Sequence, residues 1–332
     1  MEQHWKSARA LFGAVLVPPL FWLALFFLVP MGIVWLYSFG ENRGLTDIAL
    51  TGTFSNYLRA LDPLYLKIFV KSVGIAGLTT LICLVVGFPV ALAITFAPPK
   101  AKTWLLLGVM LPFWTNLLIR TYALIAVLRT EGYVNQSLEW VWNGMGAVIG
   151  ALGLGALGPF QPLELLHNNF AVVLGLVYVH LPFMVLPLYS ALDRMDTSLI
   201  EASLDLGAGH LRTLLTIVAP LALPGIASGV VITFIPALGS YLTPDLLGGP
   251  DSQMIANIIE RQFKRANDWP FGAALSFLLM YMTFIAIALQ AVMSRRRSGQ
   301  RRRYSSGPGG ARRGIRRPRP GVGTSPPAGR WR

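Results

Sequence analysis

Residues 193–210 read DRMDTSLIEASLDLGAGH and form a polar connection between two long apolar stretches of the chain. Ser198 and Glu201 have the spacing of a capping box, so a short helix is expected to start at Ser198. Gly207 suits the C-terminal cap of that helix, where a residue in the left-handed conformation is common. The pattern therefore predicts a short helix, a glycine turn and a second helix that enters the next apolar stretch.

The rest of the chain has the composition of an integral membrane protein. Of its 332 residues 54% are hydrophobic and 13% are charged, and its mean hydropathy is +0.56. That charge is about half of what a soluble domain carries, which excludes a soluble globular enzyme. We expect an all-α polytopic membrane protein with six transmembrane helices, since a span needs roughly 20 apolar residues. The predicted spans cover residues 11–38, 72–97, 104–128, 169–192, 213–241 and 270–293.

Residues 140–163 also lack charge but are rich in glycine, and two prolines follow. A lipid-facing helix of this composition would be poor, because glycine and proline have the lowest helix propensities. We therefore predict a loop or a short helix at the membrane surface.

The distribution of lysine and arginine orients the spans. With both termini in the cytoplasm of a bacterial inner membrane, the cytoplasmic segments carry most of the basic residues, as the positive-inside rule requires. The last segment, 295–332, is rich in arginine, glycine, proline and serine and has no acidic residue. Such a composition predicts a disordered tail that contacts anionic lipid headgroups. It has few aromatic residues for base stacking, so nucleic acid is not an expected partner.

The sequence offers no site for a nucleotide, a cofactor or a metal. No lysine follows a glycine anywhere in the chain, so the phosphate-binding loop of ATPases is missing. There is one cysteine, Cys83, and the four histidines are scattered. We expect the chain to bind no cofactor of its own.

The polar loop resembles the EAA loop of ABC-importer permeases. That pattern has Glu-Ala-Ala, then Gly, then Ile and Leu-Pro at fixed spacing, and this chain departs from it at Ser203 and Ala219. The resemblance implies the type I ABC-importer permease (MetI-like) fold and an ATPase-coupling role for the 193–212 loop, with capping of its helix as the alternative role for the glutamate. The implied coupling residues are Glu201, Ala202, Ser203, Asp205, Gly207, Ala208, Ile217 and Pro220.

Two further segments are similar to spermidine/putrescine permeases. Residues 111–123 read LPFWTNLLIRTYA and residues 234–249 read FIPALGSYLTPDLLGG. They supply candidate pathway or gate residues: Trp114, Asn116, Arg120, Tyr122, Phe234, Tyr241 and Asp245. Each has a simpler alternative. Arg120 can extend to the headgroups, the aromatic residues can anchor the membrane interface, and Asp245 can belong to a proline turn.

The resemblance implies a transport subunit that forms half of a translocation pathway for polyamines or a related small organic cation. It also implies partners: a separate ABC ATPase, in two copies, that holds ATP and Mg²⁺, a second and different permease chain, and a periplasmic solute-binding protein. The alternatives are a permease for another small solute, an ion-coupled secondary transporter and a membrane scaffold. An ion-coupled transporter usually carries acidic residues within its spans, and the predicted span cores contain none.

Overall fold

The computed structural model describes residues 9–44, 47–153 and 158–305. The chain divides into two compact units, Met1–Ile285 and Ala286–Arg332, and the described part of the second unit is helical. The helices are α1 (Arg9–Leu23), α2 (Val29–Tyr37), α3 (Ser55–Ala60), α4 (Pro63–Phe96), α5 (Pro99–Trp114), α6 (Leu117–Leu128), α7 (Tyr133–Ala151), α8 (Asn169–Leu192), α9 (Ser198–Asp205), α10 (His210–Thr213), α11 (Ala219–Leu221), α12 (Leu223–Leu238), α13 (Leu242–Leu247), α14 (Ile255–Lys264) and α15 (Trp269–Ser305).

Shorter elements connect these helices. Turns of π-helix at Ala24–Leu28 and Leu214–Val218 link α1 to α2 and α10 to α11, and a 3-10 turn at Pro250–Ser252 precedes α14. Two short antiparallel strands, β1 (Glu41–Asn42) and β2 (Ile48–Ala49), pair in the loop after α2. The fold is therefore helical apart from this one hairpin among the described residues.

The core of the first unit lies where α4, α8 and α12 pack together. One cluster joins Cys83, Ala91 and Ile94 of α4 to Met184 and its neighbours on α8, and Val218 at the end of the π turn completes it. Glycine allows the close contact of α12 with α8. A Cβ atom at Gly225 would lie 2.5 Å from the Cβ of Ala191 and 2.8 Å from the carbonyl oxygen of Pro187.

Six segments correspond to the predicted spans. Three helical segments, Gly13–Tyr37, Pro63–Phe96 and Asn169–Leu192, are each long and apolar enough to cross a membrane. Two bent helix pairs can each supply one more span, and Trp269–Ile285 is a shorter apolar helix. The described residues are therefore consistent with six spans.

The predicted third span, 104–128, is interrupted. The chain bends by 94° between α5 and the segment that starts at Leu117. Thr115 and Asn116 adopt extended backbone there, and the Asn116 side chain accepts a hydrogen bond from the Leu118 N–H at 2.8 Å. Asn116 thus caps the start of a new helix. A hydropathy window does not detect such a start, because it averages over the apolar residues on both sides.

The predicted fifth span is also interrupted. It was expected over residues 213–241, but His210–Leu221 and Leu223–Leu238 meet at an angle of 67°. Pro224 lies in the first turn of α12, where its missing N–H favours the start of a helix over its continuation.

Of the two alternatives predicted for residues 140–163, a loop or a short helix, the helix forms in the first half, where α7 continues through Gly144, Gly146 and Gly150 to Ala151. The segment that follows is tied back to α7. Asn135 exchanges two hydrogen bonds of 2.9 Å with the backbone of Leu163, and the Trp142 indole donates to the Gly158 carbonyl at 2.9 Å. These contacts stabilise a helix that propensity alone disfavours.

The tail prediction needs a correction at its start. The disordered segment was expected from residue 295, but α15 is helical through Ser305. Arginine has a high helix propensity, so the arginines that follow the apolar segment can extend the same helix. The remainder of the predicted tail, 306–332, lies outside the described residues.

Candidate functional site

The short helix of the coupling loop, which we define as residues 193–212, begins at Ser198, as the sequence predicts. Its cap differs from the prediction, because the capping box between Ser198 and Glu201 does not form. Asp196 lies two residues earlier, and its Oδ1 accepts a hydrogen bond from the Ser198 N–H at 3.0 Å. Hydrogen bonds from the Ser198 side chain and backbone lower the pKa of Asp196. Glu201 is left exposed in the first turn of α9.

Gly207 ends α9 in the left-handed conformation, with φ +83°. The Gly207 N–H donates to the Leu204 carbonyl at 2.8 Å, and the Ala208 N–H donates to the Ser203 carbonyl at 3.1 Å. This pair of bonds is the Schellman motif, in which a glycine avoids the steric cost that a side chain would add. The prediction of a glycine cap is confirmed.

Two side-chain contacts hold the coupling loop against the spans. At its start, the Lys102 Nζ of α5 lies 2.6 Å from the Asp193 Oδ1, and this contact raises the pKa of Lys102 and lowers that of Asp193. Near its end, the Ser203 hydroxyl is hydrogen-bonded to the Thr213 hydroxyl at 2.9 Å, and both residues are buried. The predictions included neither Lys102 nor Thr213, because tertiary contacts leave no local signal in the sequence.

The outward surface of the coupling loop combines apolar and acidic side chains. Leu206 is 89% exposed and Leu211 is 70% exposed, and Glu201 and Asp205 are exposed beside them. Ala202 is exposed, whereas Ala208, Ile217 and Pro220 are half-buried and lie along the return to the membrane. Leu206 and Leu211 are therefore available for contact with another protein. The sequence analysis did not single out these leucines.

The candidate pathway residues lie in different environments. Arg120 is buried at 8% exposure, and its Nε and Nη1 atoms have no hydrogen-bond partner among the described residues. Trp114 and Tyr122 are exposed, and Asn116 caps α6.

The second group of pathway candidates surrounds the end of α12. Phe234 packs against Ala76, Ala237 and Leu238. The proline turn considered for Asp245 is instead part of helix α13, with Tyr241 before the helix and the exposed Asp245 in its first turn. Leu246 and Leu247 of α13 pack with Leu124 and Leu128 of α6, so the two candidate segments are neighbours in the fold.

A bundle of apolar helices with an exposed helix-glycine-helix loop before its last two membrane segments defines the class: a membrane transport permease. The chain belongs to the family described as binding-protein-dependent transport system inner membrane component, whose model matches residues 6–299.

Similar proteins agree with this family. The spermidine/putrescine transport system permease protein PotB of Escherichia coli K12 is 40% identical over 258 residues, which cover 78% of this chain and 88% of that protein. PotB of Haemophilus influenzae is 36% identical over 266 residues, covering 80% and 88% of the two chains. A chain of a bacterial alginate ABC transporter, in complex with an alginate-pentasaccharide-bound periplasmic protein, superimposes with a TM-score of 0.70 at 18% identity, over 89% of this chain and 98% of that one. The type I importer permease fold is confirmed.

Proposed function

We propose that this chain is one permease subunit of an ATP-driven importer for polyamines and forms half of its translocation pathway. The observation that carries the proposal is the geometry of the coupling loop, a capped helix with exposed leucines and acidic residues held against two spans. The identity of 36–40% to the PotB permeases supports the substrate class.

The partners follow from the same loop. A separate ATPase docks on the surface formed by Leu206, Leu211, Glu201 and Asp205, and it holds the ATP and Mg²⁺ that this chain has no motif to bind. A second, different permease completes the pathway, and a periplasmic solute-binding protein delivers the substrate. The complex of the alginate transporter with its periplasmic protein supports this last partner.

The pathway candidates fit a cationic cargo in part. The exposed Tyr241 and Asp245 offer an aromatic ring and a carboxylate, which can attract an ammonium group by cation–π contact and charge pairing. Arg120 would repel the cargo, so we assign it a packing or gating role. A buried cation is costly within a membrane, and such residues are candidates for functional sites.

The substrate proposal predicts that spermidine is taken up by the assembled importer reconstituted in vesicles, and that putrescine competes with it. The ATPase, the second permease and the solute-binding protein must all be present, and omission of ATP serves as the control. Competition by a sugar or an anion but not by putrescine would contradict the polyamine assignment, although an ATP-driven importer for another solute would remain.

The topology proposal predicts that Ala266, an exposed residue before α15, faces the periplasm and that Ser305 faces the cytoplasm. Cysteine at each position, in a Cys83→Ala background that has no other cysteine, is to be treated in intact cells with a membrane-impermeant thiol reagent. We expect Ala266→Cys to be labelled at once and Ser305→Cys only after permeabilisation. Labelling of Ser305→Cys in intact cells would contradict the six-span topology.

A further inference from the structure

The hydrogen bond between Ser203 and Thr213 is unusual for its position. Most polar side chains of the coupling loop are exposed, but Ser203 is 7% exposed and Thr213, which directly follows the loop, is 2% exposed. The loop also departs from the family pattern at this position, where a serine replaces an alanine. A buried hydroxyl requires a partner, and Thr213 supplies one at 2.9 Å.

This hydrogen bond bridges the glycine turn of the loop. Residues 206–209 separate α9 from α10, and a Cβ at Gly207 or Gly209 would meet nothing within 4 Å, so no neighbouring atom restrains the turn at these two positions. The backbone of Ser203 closes the Schellman motif while its side chain reaches across to Thr213. Ser203 therefore fixes the angle between α9 and α10 twice, through its backbone carbonyl to Ala208 and through its hydroxyl to Thr213.

Thr213 connects this junction to the core. It immediately precedes the π turn Leu214–Val218, and Val218 packs in the cluster that contains Met184 and Leu188 of α8. A displacement of α9 that is carried through Ser203 to Thr213 thus reaches the centre of the helix bundle. Without the hydroxyl pair, the same displacement can be absorbed by bending at the two glycines.

We propose that Ser203 and Thr213 are positioning residues, whose hydrogen bond locks the glycine turn so that movement of α9 moves the fifth span. The inference rests on the proposed function, because it assumes that an ATPase moves α9. The two hydroxyls do not contact the transported solute.

The test uses Ser203→Ala, Thr213→Val and the double variant in the assembled importer, with solute transported per ATP hydrolysed as the readout. We expect each variant to lower that ratio roughly three- to tenfold, the range that corresponds to one net hydrogen bond, at unchanged membrane levels. The double variant should be no worse than either single variant, because all three lose the same bond. The exchange variant Ser203→Thr, Thr213→Ser keeps both hydroxyls and should retain most of the ratio.

Thr95→Val is the matched control, because Thr95 lies in α4 outside the coupling loop and its hydroxyl donates only to the Ala91 carbonyl of its own helix, at 2.8 Å. A wild-type ratio in Ser203→Ala would overturn the inference and leave the proposed function intact. Failure of the wild-type permease to bind an ATPase would overturn the proposed function and the inference with it.

A second measurement needs no partner. Spin labels at Leu206 and Leu215, both exposed, report the position of α9 relative to the π turn in the full-length Cys83→Ala permease. We expect one narrow distance distribution with Ser203 present and a broad one in Ser203→Ala. Equal widths in the two proteins would overturn the inference.

Discussion

Gly207→Val is expected to abolish solute uptake while the permease stays in the membrane at wild-type amounts. Gly207 has φ +83°, where a β-branched residue is strained by about 1–3 kcal/mol. A Cβ there would meet nothing within 4 Å, so the cost is purely one of backbone conformation and stays within the loop. The Schellman bonds of α9 should break and its docking surface should turn away from the ATPase. Uptake and ATP hydrolysis by the reconstituted importer measure the effect.

Two control variants separate this explanation from a general sensitivity of the loop. Gly207→Asn should retain much of the uptake, because asparagine tolerates the left-handed conformation better than other residues. Gly209→Ser should be close to wild type, since Gly209 has φ −69° and serine is a favoured residue at the start of a helix. Wild-type uptake by Gly207→Val would mean that the loop is only a linker between two spans.

Gly225→Ala is expected to destabilise the whole permease. The new Cβ would lie 2.5 Å from the Ala191 Cβ and 2.8 Å from the Pro187 carbonyl oxygen, and neither neighbour is the end of a flexible side chain. α12 must move away from α8, and overpacking of this kind costs about 1–3 kcal/mol. We expect a lower yield from membranes and a lower thermal unfolding temperature in detergent.

The matched control for this prediction is Gly77→Ala, in α4. A Cβ at Gly77 would meet nothing within 4 Å, and alanine has the higher helix propensity. Gly77→Ala should therefore be neutral or slightly stabilising. Equal stability of the Gly77 and Gly225 variants would show that α8 and α12 are not in close contact.

The sequence predicts features that depend on neighbouring residues. Hydropathy indicates the apolar segments, and Gly207 marks the end of α9 because a left-handed cap favours glycine over residues with a side chain. The cap of α9 shows the limit of such local rules. The carboxylates of Asp196 and Glu201 are both close in sequence to the Ser198 N–H. The hydrogen bond from this N–H goes to Asp196 and not to Glu201.

Other features depend on contacts between distant residues. The breaks in the third and fifth spans were missed because average hydropathy does not register a change of direction, although Asn116 and Pro224 carry local signals for a helix start. The Lys102–Asp193 and Ser203–Thr213 contacts arise only when separate helices meet. The burial of Arg120 likewise depends on how α6 packs, which no spacing rule gives.

The most direct measurement is cross-linking from Glu201 to the ATPase in membranes that contain the assembled importer. In the Cys83→Ala, Glu201→Cys permease, a short thiol-reactive cross-linker should join the coupling loop to the nucleotide-binding subunit. Ala266→Cys in the same background should give no such product. A functional importer whose ATPase cross-links to neither position, or to Ala266→Cys alone, would contradict the assignment of residues 193–212 as the docking site.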